Sequence, residues 1–301
     1  MMGKGLPRRI ALFFNPNAGR GSATRKLPQV EAYLRARGIA YQLIEFDYPP
    51  SLDGFTDVMI LGGDGTINHV LNRFPDLSLP VGLLPGGTAN DLALELEESL
   101  NLQECLDTAV SGHTCVLDAG RCNGRIFMNC LGVGFDGEVA DDISKVRWLK
   151  GYARYMYTVV RKVFQYRSRV MHTAWDGGQY QYKALTIMAA NSQFSGGGFR
   201  VAPKARMNDG KLHMVVVDDL PLWKRLLYLP KFRMGRHDQL SFVRTAPFSR
   251  MQIRLDSPMS AHMDGETLTT DEFLIEVLPA KFLFRVPDSV SNRLKRIAMA
   301  G

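Results

Sequence analysis

Two glycine-rich turns, each preceded by an apolar run, constrain this chain more than any other feature. The first reads Asp57-Val58-Met59-Ile60-Leu61-Gly62-Gly63-Asp64-Gly65-Thr66-Ile67-Asn68, and the second Val81-Gly82-Leu83-Leu84-Pro85-Gly86-Gly87-Thr88-Ala89-Asn90-Asp91. Each has the pattern of a buried strand that runs into a tight turn and then a helix. Glycines in such a turn let backbone N–H groups approach a polyphosphate, and the start of a helix favours negative charge. Asp64 and Asp91 add carboxylates to the same loops. Carboxylates beside phosphates are unfavourable unless a Mg²⁺ ion lies between them. The pattern therefore implies an ATP-using phosphotransferase.

Strands and helices alternate through the first third of the chain. Strands are expected at Arg9 to Asn15, Tyr41 to Phe46, Asp57 to Leu61 and Val81 to Leu84, with helices from about Ala23 to Gly38, Ile67 to Arg73 and Ala89 to Leu96. This spacing predicts a parallel sheet covered by helices, with ligands at the C-terminal ends of the strands. Near Cys115 the texture changes to alternating runs bounded by turn residues. Examples are Val116 to Arg121, Arg125 to Leu131, Ala184 to Asn191, Lys211 to Val217, Arg250 to Leu255 and Glu272 to Leu278. The expected fold class is α/β plus all-β. An α/β nucleotide domain spans 1–116, with the tail 287–301 folding back on it, and an antiparallel sandwich or barrel-like domain spans 117–286.

The chain has 301 residues, 46% hydrophobic and 22% charged, as expected of a globular protein with room for two cores. No uncharged apolar run approaches the ~20 residues of a transmembrane helix. The run Ile10 to Phe14 is too short for a signal-peptide core. Cys105, Cys115, Cys122 and Cys130 show no CxxC spacing, so reduced thiols and a cytoplasmic location are expected. The net charge of +7 suggests an anionic partner: nucleotide, nucleic acid or membrane.

Residues 144–169 carry eight Lys or Arg (Lys145, Arg147, Lys150, Arg154, Arg161, Lys162, Arg167, Arg169) and no acid, with Trp148, Tyr152, Tyr155, Tyr157, Phe164 and Tyr166 interleaved. Tyr152, Tyr155, Met156, Val159, Val160 and Val163 share a helical face. This stretch is either a peripheral membrane contact or a packed helix with a solvated basic face. Nothing else supports a nucleic-acid groove. A second basic and aromatic stretch runs from Pro221 to Arg236.

In order along the chain come Asn15-Pro16 with Gly19, Gly62-Gly63-Asp64-Gly65-Thr66, Pro85-Gly86-Gly87-Thr88-Ala89-Asn90-Asp91 and Gly132-Val133-Gly134-Phe135-Asp136. Gly196-Gly197-Gly198, Asn208-Asp209-Gly210 and Met263-Asp264-Gly265-Glu266 follow. Together they resemble the diacylglycerol-kinase-like lipid kinases, the family of bacterial diacylglycerol kinases and sphingosine kinases. The Gly-Gly-Asp-Gly-Thr turn is shared with NAD kinases and phosphofructokinases. The second turn together with the late Asp-Gly-Glu is more specific.

The resemblance implies ATP as co-substrate, Mg²⁺, and a lipid hydroxyl at a membrane surface as acceptor. It assigns the nucleotide to Asn15, Pro16, Gly19, Gly62, Gly63, Asp64, Gly65, Thr66, Asn68, Gly87 and Thr88, and an acidic network around the ATP-bound metal to Asp64, Asp91 and Asp118. Glu266 becomes the general base, with Asp264 positioning it or sharing charge. A second, structural Mg²⁺ would be held by Asp209 and the backbone carbonyls of Arg206 and Lys211. Read without the resemblance, Asp264-Gly265 and Asp209-Gly210 are hairpin signals, Asp118 is a turn residue or cap, and Asp136 is a second acid near the site or a turn residue. Two alternatives stay open: a kinase of a soluble acceptor such as NAD or a sugar phosphate, and a catalytically silent nucleotide- and membrane-binding regulator. The absence of the Asn-Glu pair expected of NAD kinases argues against the first. The intact acidic positions argue against the second. Neither the oligomeric state nor the particular lipid has a local motif.

Overall fold

In the computed structural model, residues 7–143, 145, 146, 148, 149 and 151–298 are described; the side chains of 151, 152 and 296–298 are not. Along the chain lie β1 (Arg9–Phe14), α1 (Ser22–Ala36), β2 (Ala40–Ile44), β3 (Asp57–Gly62), α2 (Asp64–Arg73), β4 (Val81–Pro85), α3 (Asp91–Leu96) and α4 (Leu102–Ser111). Next come β5 (His113–Cys122), β6 (Arg125–Phe127), β7 (Cys130–Gly134), α5 (Phe135–Ile143), α6 (Gly151–Gln165), β8 (Arg169–Trp175), β9 (Gly178–Ala190) and β10 (Leu212–Asp218). The chain ends with α7 (Leu222–Arg233), β11 (Val243–Phe248), β12 (Arg250–Met263), β13 (Glu266–Val286) and α8 (Asp288–Ala298). These elements divide into two compact units, residues 1–117 with 281–301 and residues 118–280.

In the first unit β2, β1, β3 and β4 lie side by side, all parallel, and Phe284 near the end of β13 pairs in parallel with Val81. β3 and β4 are buried along their whole length. Uninterrupted apolar runs such as Val58 to Leu61 are what a parallel strand covered on both faces requires. Ile10, Leu12, Met59, Leu61 and Leu84 pack with Leu34 of α1 and Leu106 of α4 in one core. Full burial of each such side chain contributes roughly 1.5–3 kcal/mol. The register sets Phe14 beside Leu61 and Gly62 beside Pro85. Three strands thus end together, and the turns that follow them emerge at one edge. Asp57, 4% exposed, is held by Arg8 and Arg285 at 2.8 and 2.9 Å. In the tail, α8 is fixed by Arg293, which donates to the carbonyl of Glu95 at 2.6 Å. Residues 299–301 of the tail lie outside the described residues.

The second unit is β-rich. β11, β10, β9, β7, β12 and β13 follow one another as antiparallel neighbours. β9 pairs with β8 along its first half and with β7 along its second; β12 pairs with β8 at Met251–Arg254 and with β7 at Ala261–Met263. Phe127, Leu131, Ile187, Phe248, Met251 and Phe273 share one core. One sequence expectation is corrected here. The run Arg125 to Leu131 is not one strand: it breaks at Met128-Asn129, whose N–H groups turn to the carboxylate of Asp264. The basic and aromatic stretch Pro221 to Arg236 contains a helix, α7, whose Leu229 and Phe232 pack on the core without being fully buried. The four cysteines are free thiols.

Candidate active site

In the first unit the three glycine motifs meet. A Cβ placed on Gly87 would lie 2.5 Å from the Cα of Gly63, and one on Gly19 would lie 2.2 Å from the carbonyl oxygen of Gly86. Only glycine permits these approaches, and Gly19 also has a φ of +53°. The amide of Gly86 donates to the Gly62 carbonyl at 2.7 Å, extending the β3–β4 ladder into the turns. Asn15 donates through Nδ2 to Thr66 Oγ1 at 3.1 Å and accepts at Oδ1 from the N–H of Asn17 at 3.0 Å. Asn90, in the left-handed region at φ +55°, closes its own turn by accepting from the Gly87 N–H at 2.8 Å. Lys26 Nζ donates to the Pro85 carbonyl at 2.5 Å.

Both oxygens of Asp64 accept backbone N–H groups, Oδ2 from Asp91 at 3.1 Å and Oδ1 from Leu92 at 3.0 Å. Asp64 therefore caps α3 from across the gap and ties the two turns together, a role its sequence position does not reveal. No side chain caps the N-terminus of α2, whose N-cap is Gly63. That leaves a positive helix end beside the joined glycines. Gly65 is exposed, and a Cβ there would meet nothing within 4 Å. Thr88 is exposed at the tip of the second turn. Asn68, 3% exposed inside α2, accepts at Oδ1 from Asn72 at 3.0 Å.

In the second unit Asp264 is anchored by backbone. Its carboxylate accepts N–H groups from Met128 at 2.6 Å, Asn129 at 2.9 Å and Cys130 at 3.0 Å, and Asp264 has φ +47°. Gly265, at φ +95°, donates its N–H to His262 Nε2 at 2.8 Å. Burial lowers the His262 pKa to about 4, so the ring is a neutral acceptor. Glu266 projects from this fixed turn with its side chain 41% exposed and pairs with Arg125. The two carboxylates of Asp264-Gly265-Glu266 thus face different partners. Neither Arg125 nor His262 carries a sequence signal of its role.

Asp118 joins the Asn208-Asp209-Gly210 turn. It accepts from the N–H of Gly210 at 2.7 Å and of Ala280 at 2.8 Å, and its own N–H donates to Met207 at 2.6 Å. Desolvation raises its pKa, opposed by these N–H groups and reinforced by Asp209. Asp209 accepts from the Lys211 N–H at 3.0 Å and faces His213 Nε2 at 3.2 Å. Among the described residues no three metal-ligating side chains converge, so the acids assigned to the ATP-bound metal do not form a ready-made cluster. Asp136 opens α5, fills the space a Gly132 side chain would take, and accepts from Thr186 Oγ1 at 3.1 Å. Burial raises its pKa to about 6.

Of the apolar stripe expected on α6, Val159 and Val163 are buried, and Tyr155 and Met156 pack on the core. Val160 of the same stripe is 37% exposed. Lys162 is taken by Glu138 and Asp142 at 3.1 and 2.8 Å. Ser144, Arg147 and Lys150 of the same stretch, and the Tyr152 side chain, lie outside the described residues. No described helix is long and apolar enough to cross a membrane.

Comparison with known proteins accords with both units. Residues 9–122 match the diacylglycerol kinase catalytic domain. Residues 129–284, over half of the chain, match the YegS C-terminal NAD kinase beta sandwich-like domain. The chain is 26% identical over 288 residues to a diacylglycerol kinase of Mycobacterium tuberculosis strain H37Rv, covering 90% of this chain and 93% of that one. It is 25% identical over 272 residues to a diacylglycerol kinase of Bacillus subtilis strain 168, covering 86% and 90%. A crystal structure of a diacylglycerol kinase from Bacillus anthracis strain Sterne shares the fold, with a TM-score of 0.72 at 20% identity, covering 94% of this chain and 98% of that one. From glycine turns, acidic turn and matched domains together, the chain belongs to the diacylglycerol-kinase-like lipid kinase family.

Proposed function

We propose that this kinase is ATP- and Mg²⁺-dependent and phosphorylates the hydroxyl of diacylglycerol or a related lipid at a membrane surface. The observation that carries this is the Asp264-Gly265-Glu266 turn, in which one carboxylate is spent on holding the backbone and the other is left half-exposed to act. Glu266 accepts the proton of the lipid hydroxyl. Asp264 and His262 hold the turn that presents it, and Arg125 fixes the direction of its carboxylate.

The first unit fits a nucleotide. The joined glycines and the exposed Gly65 leave room for phosphates beside the uncapped end of α2. Asn15, Pro16, Gly19, Thr66 and Thr88 shape the rest of that surface. Bound Mg-ATP supplies the transferable γ-phosphoryl group and the neutralising charge. Mg²⁺ bound with ATP is commonly held mainly by phosphates and water with one or two carboxylates. Asp64 and Asp91 are the carboxylates nearest to such an ion's loops, with Asp118 completing the network. A second Mg²⁺ at Asp209, with the carbonyls of Arg206 and Lys211, belongs to the same proposal and requires Asp209 to exchange His213 for the ion.

The test is phosphate transfer from ATP, with and without Mg²⁺, to vesicles carrying diacylglycerol, phosphatidylglycerol, sphingosine or ceramide, with Glu266→Ala as control. A labelled lipid that disappears in the variant is expected. Turnover of NAD or a sugar phosphate without lipid, or ATP binding with no transfer to any acceptor, would overturn the proposal.

A further inference from the structure

Helix α7 packs Leu229 and Phe232 against the core and turns a second apolar stripe outward. Leu222, Trp223, Leu226 and Leu227 are 40%, 62%, 37% and 59% exposed. Their spacing of i, i+1, i+4 and i+5 puts them in one stripe, and Met234, 51% exposed, continues it just past the helix. An amphipathic helix packed on a globular core turns such a stripe inward; here it faces out.

The helix is nevertheless firmly attached. Arg225 donates to the carbonyls of Leu220 and Tyr166, both at 2.7 Å. Tyr166 follows α6, so the guanidinium joins the two helices. The outer side of α6 is also apolar: Tyr157, Val160 and Phe164 are 40%, 37% and 58% exposed. Trp148 stacks edge-on against Tyr157 with ring centroids 5.1 Å apart.

Charge identifies the occupant. Residues 221–236 contain five Lys or Arg and no Asp or Glu. Lys224 and Lys231 lie 5.4 and 5.2 Å from the rings of Trp223 and Tyr228, at the margins of the stripe. Apolar side chains flanked by Trp, Tyr and lysines such as Lys224 and Lys231 suit the boundary between acyl chains and anionic headgroups. Each Lys or Arg near such a surface contributes about 1 kcal/mol.

We infer that α7 lies in the membrane interface, its Leu222–Leu227 stripe entering the acyl region of an anionic bilayer while Lys224 and Lys231 meet lipid phosphates. The exposed side of α6 is the adjoining contact. This deepens the proposed lipid-kinase reading by assigning the membrane contact to a helix outside the residues thought to carry chemistry.

The test is co-sedimentation with vesicles of phosphatidylcholine containing 30% phosphatidylglycerol, a composition of about one anionic lipid in three, and with phosphatidylcholine alone. ATP and diacylglycerol are left out, so binding is read independently of turnover. Three proteins are compared: wild type, Trp223→Ser/Leu227→Ser and Lys224→Glu/Lys231→Glu. Wild type should bind the anionic vesicles and be released by salt. Each double variant should bind about tenfold more weakly or worse. Their melting temperatures should be unchanged, because the altered side chains are exposed. Turnover of detergent-dispersed lipid should also be retained.

Equal binding of wild type and both variants would overturn the inference, as would wild-type binding to neutral vesicles alone. A wild-type dimer dissolved by Trp223→Ser/Leu227→Ser, without change in vesicle binding, would assign the stripe to a second copy instead. Vesicle binding without lipid phosphorylation would leave the docking face standing and remove the kinase reading, so the two can fail separately.

Discussion

The imidazole of His262 accepts a hydrogen bond from the N–H of Gly265, 2.8 Å away, and so closes the turn that presents Glu266. An imidazolium cannot accept that bond, and burial keeps the ring neutral by lowering its pKa to about 4. His262→Gln retains an acceptor, whereas His262→Leu does not. The Leu variant should lose about tenfold or more in kcat with little change in KM for ATP, and the Gln variant should recover most of the loss. An equal loss in both would show that the ring's shape matters and its acceptor nitrogen does not. The sign of the pH effect follows from the shift. Between pH 6.5 and 4 the unfolded chain binds a proton that the folded ring refuses. The contribution of His262 to stability is therefore complete above pH 6.5 and falls as the pH is lowered towards 4.

Asp264 and Glu266 are two residues apart yet should fail differently. Asp264→Asn leaves one oxygen to serve the N–H groups of Met128, Asn129 and Cys130. Leaving buried donors poorly paired costs about 1–3 kcal/mol. The variant should melt lower and lose activity together. Glu266→Gln should melt as wild type does while kcat falls by about 10²–10⁴. Thermal melts beside initial rates separate the two; a fully stable but inactive Asp264→Asn would instead put Asp264 in the chemistry.

How these residues divide their tasks explains what could be read from the chain. The glycine turns were legible because their strands and helices are neighbours in sequence and only glycine allows the contact of Gly63 with Gly87. The partners of Asp264 lie more than 130 residues away, and those of Asp118 are 92 and 162 residues away. No local pattern reports such bonds. Asp64 read as a phosphate-loop acid, but its bonds to Asp91 and Leu92 depend on the β3–β4 register. The α6 stripe was a correct helix period with two surroundings left open: periodicity locates an apolar face without saying whether protein or lipid covers it. α7 escaped the search for helices because its apolar residues divide between the core and the exposed side, and β13 was seen only in part because its 21 residues alternate imperfectly.

Gly87 and Gly65 give opposite expectations for the same Gly→Ala change. At Gly87 the new methyl would stand 2.5 Å from the Cα of Gly63 and 2.8 Å from Asn90 Oδ1, so the turns must separate. Stability should fall by about 1–3 kcal/mol and KM for ATP should rise. At Gly65, inside the first turn of α2, the methyl meets nothing within 4 Å. Alanine should stabilise the helix by up to about 1 kcal/mol. If phosphates fill that space, KM for ATP should rise nonetheless. A Gly65→Ala enzyme that is both more stable and unchanged in KM would place the nucleotide elsewhere.

Glu97 ends α3 as a buried acid, 8% exposed, with no hydrogen-bond partner for Oε1. Burial raises its pKa to about 8, against the weaker lowering effect of Thr108. The folded protein therefore keeps Glu97 protonated at neutral pH, where the unfolded chain would release the proton. Its contribution to stability is greatest below about pH 4.5 and is lost as the pH rises towards 8. Glu97→Gln is neutral at every pH and nearly the same shape. It should leave the melting temperature at pH 5 almost unchanged and raise it by about 2–6 °C at pH 8, equivalent to roughly 1–2 kcal/mol. Melting curves of both proteins from pH 5 to 8.5 decide the matter. Parallel curves would mean that Glu97 ionises in the folded state and finds a partner there; convergence at low pH with divergence above neutrality would establish a buried, protonated acid at the end of α3.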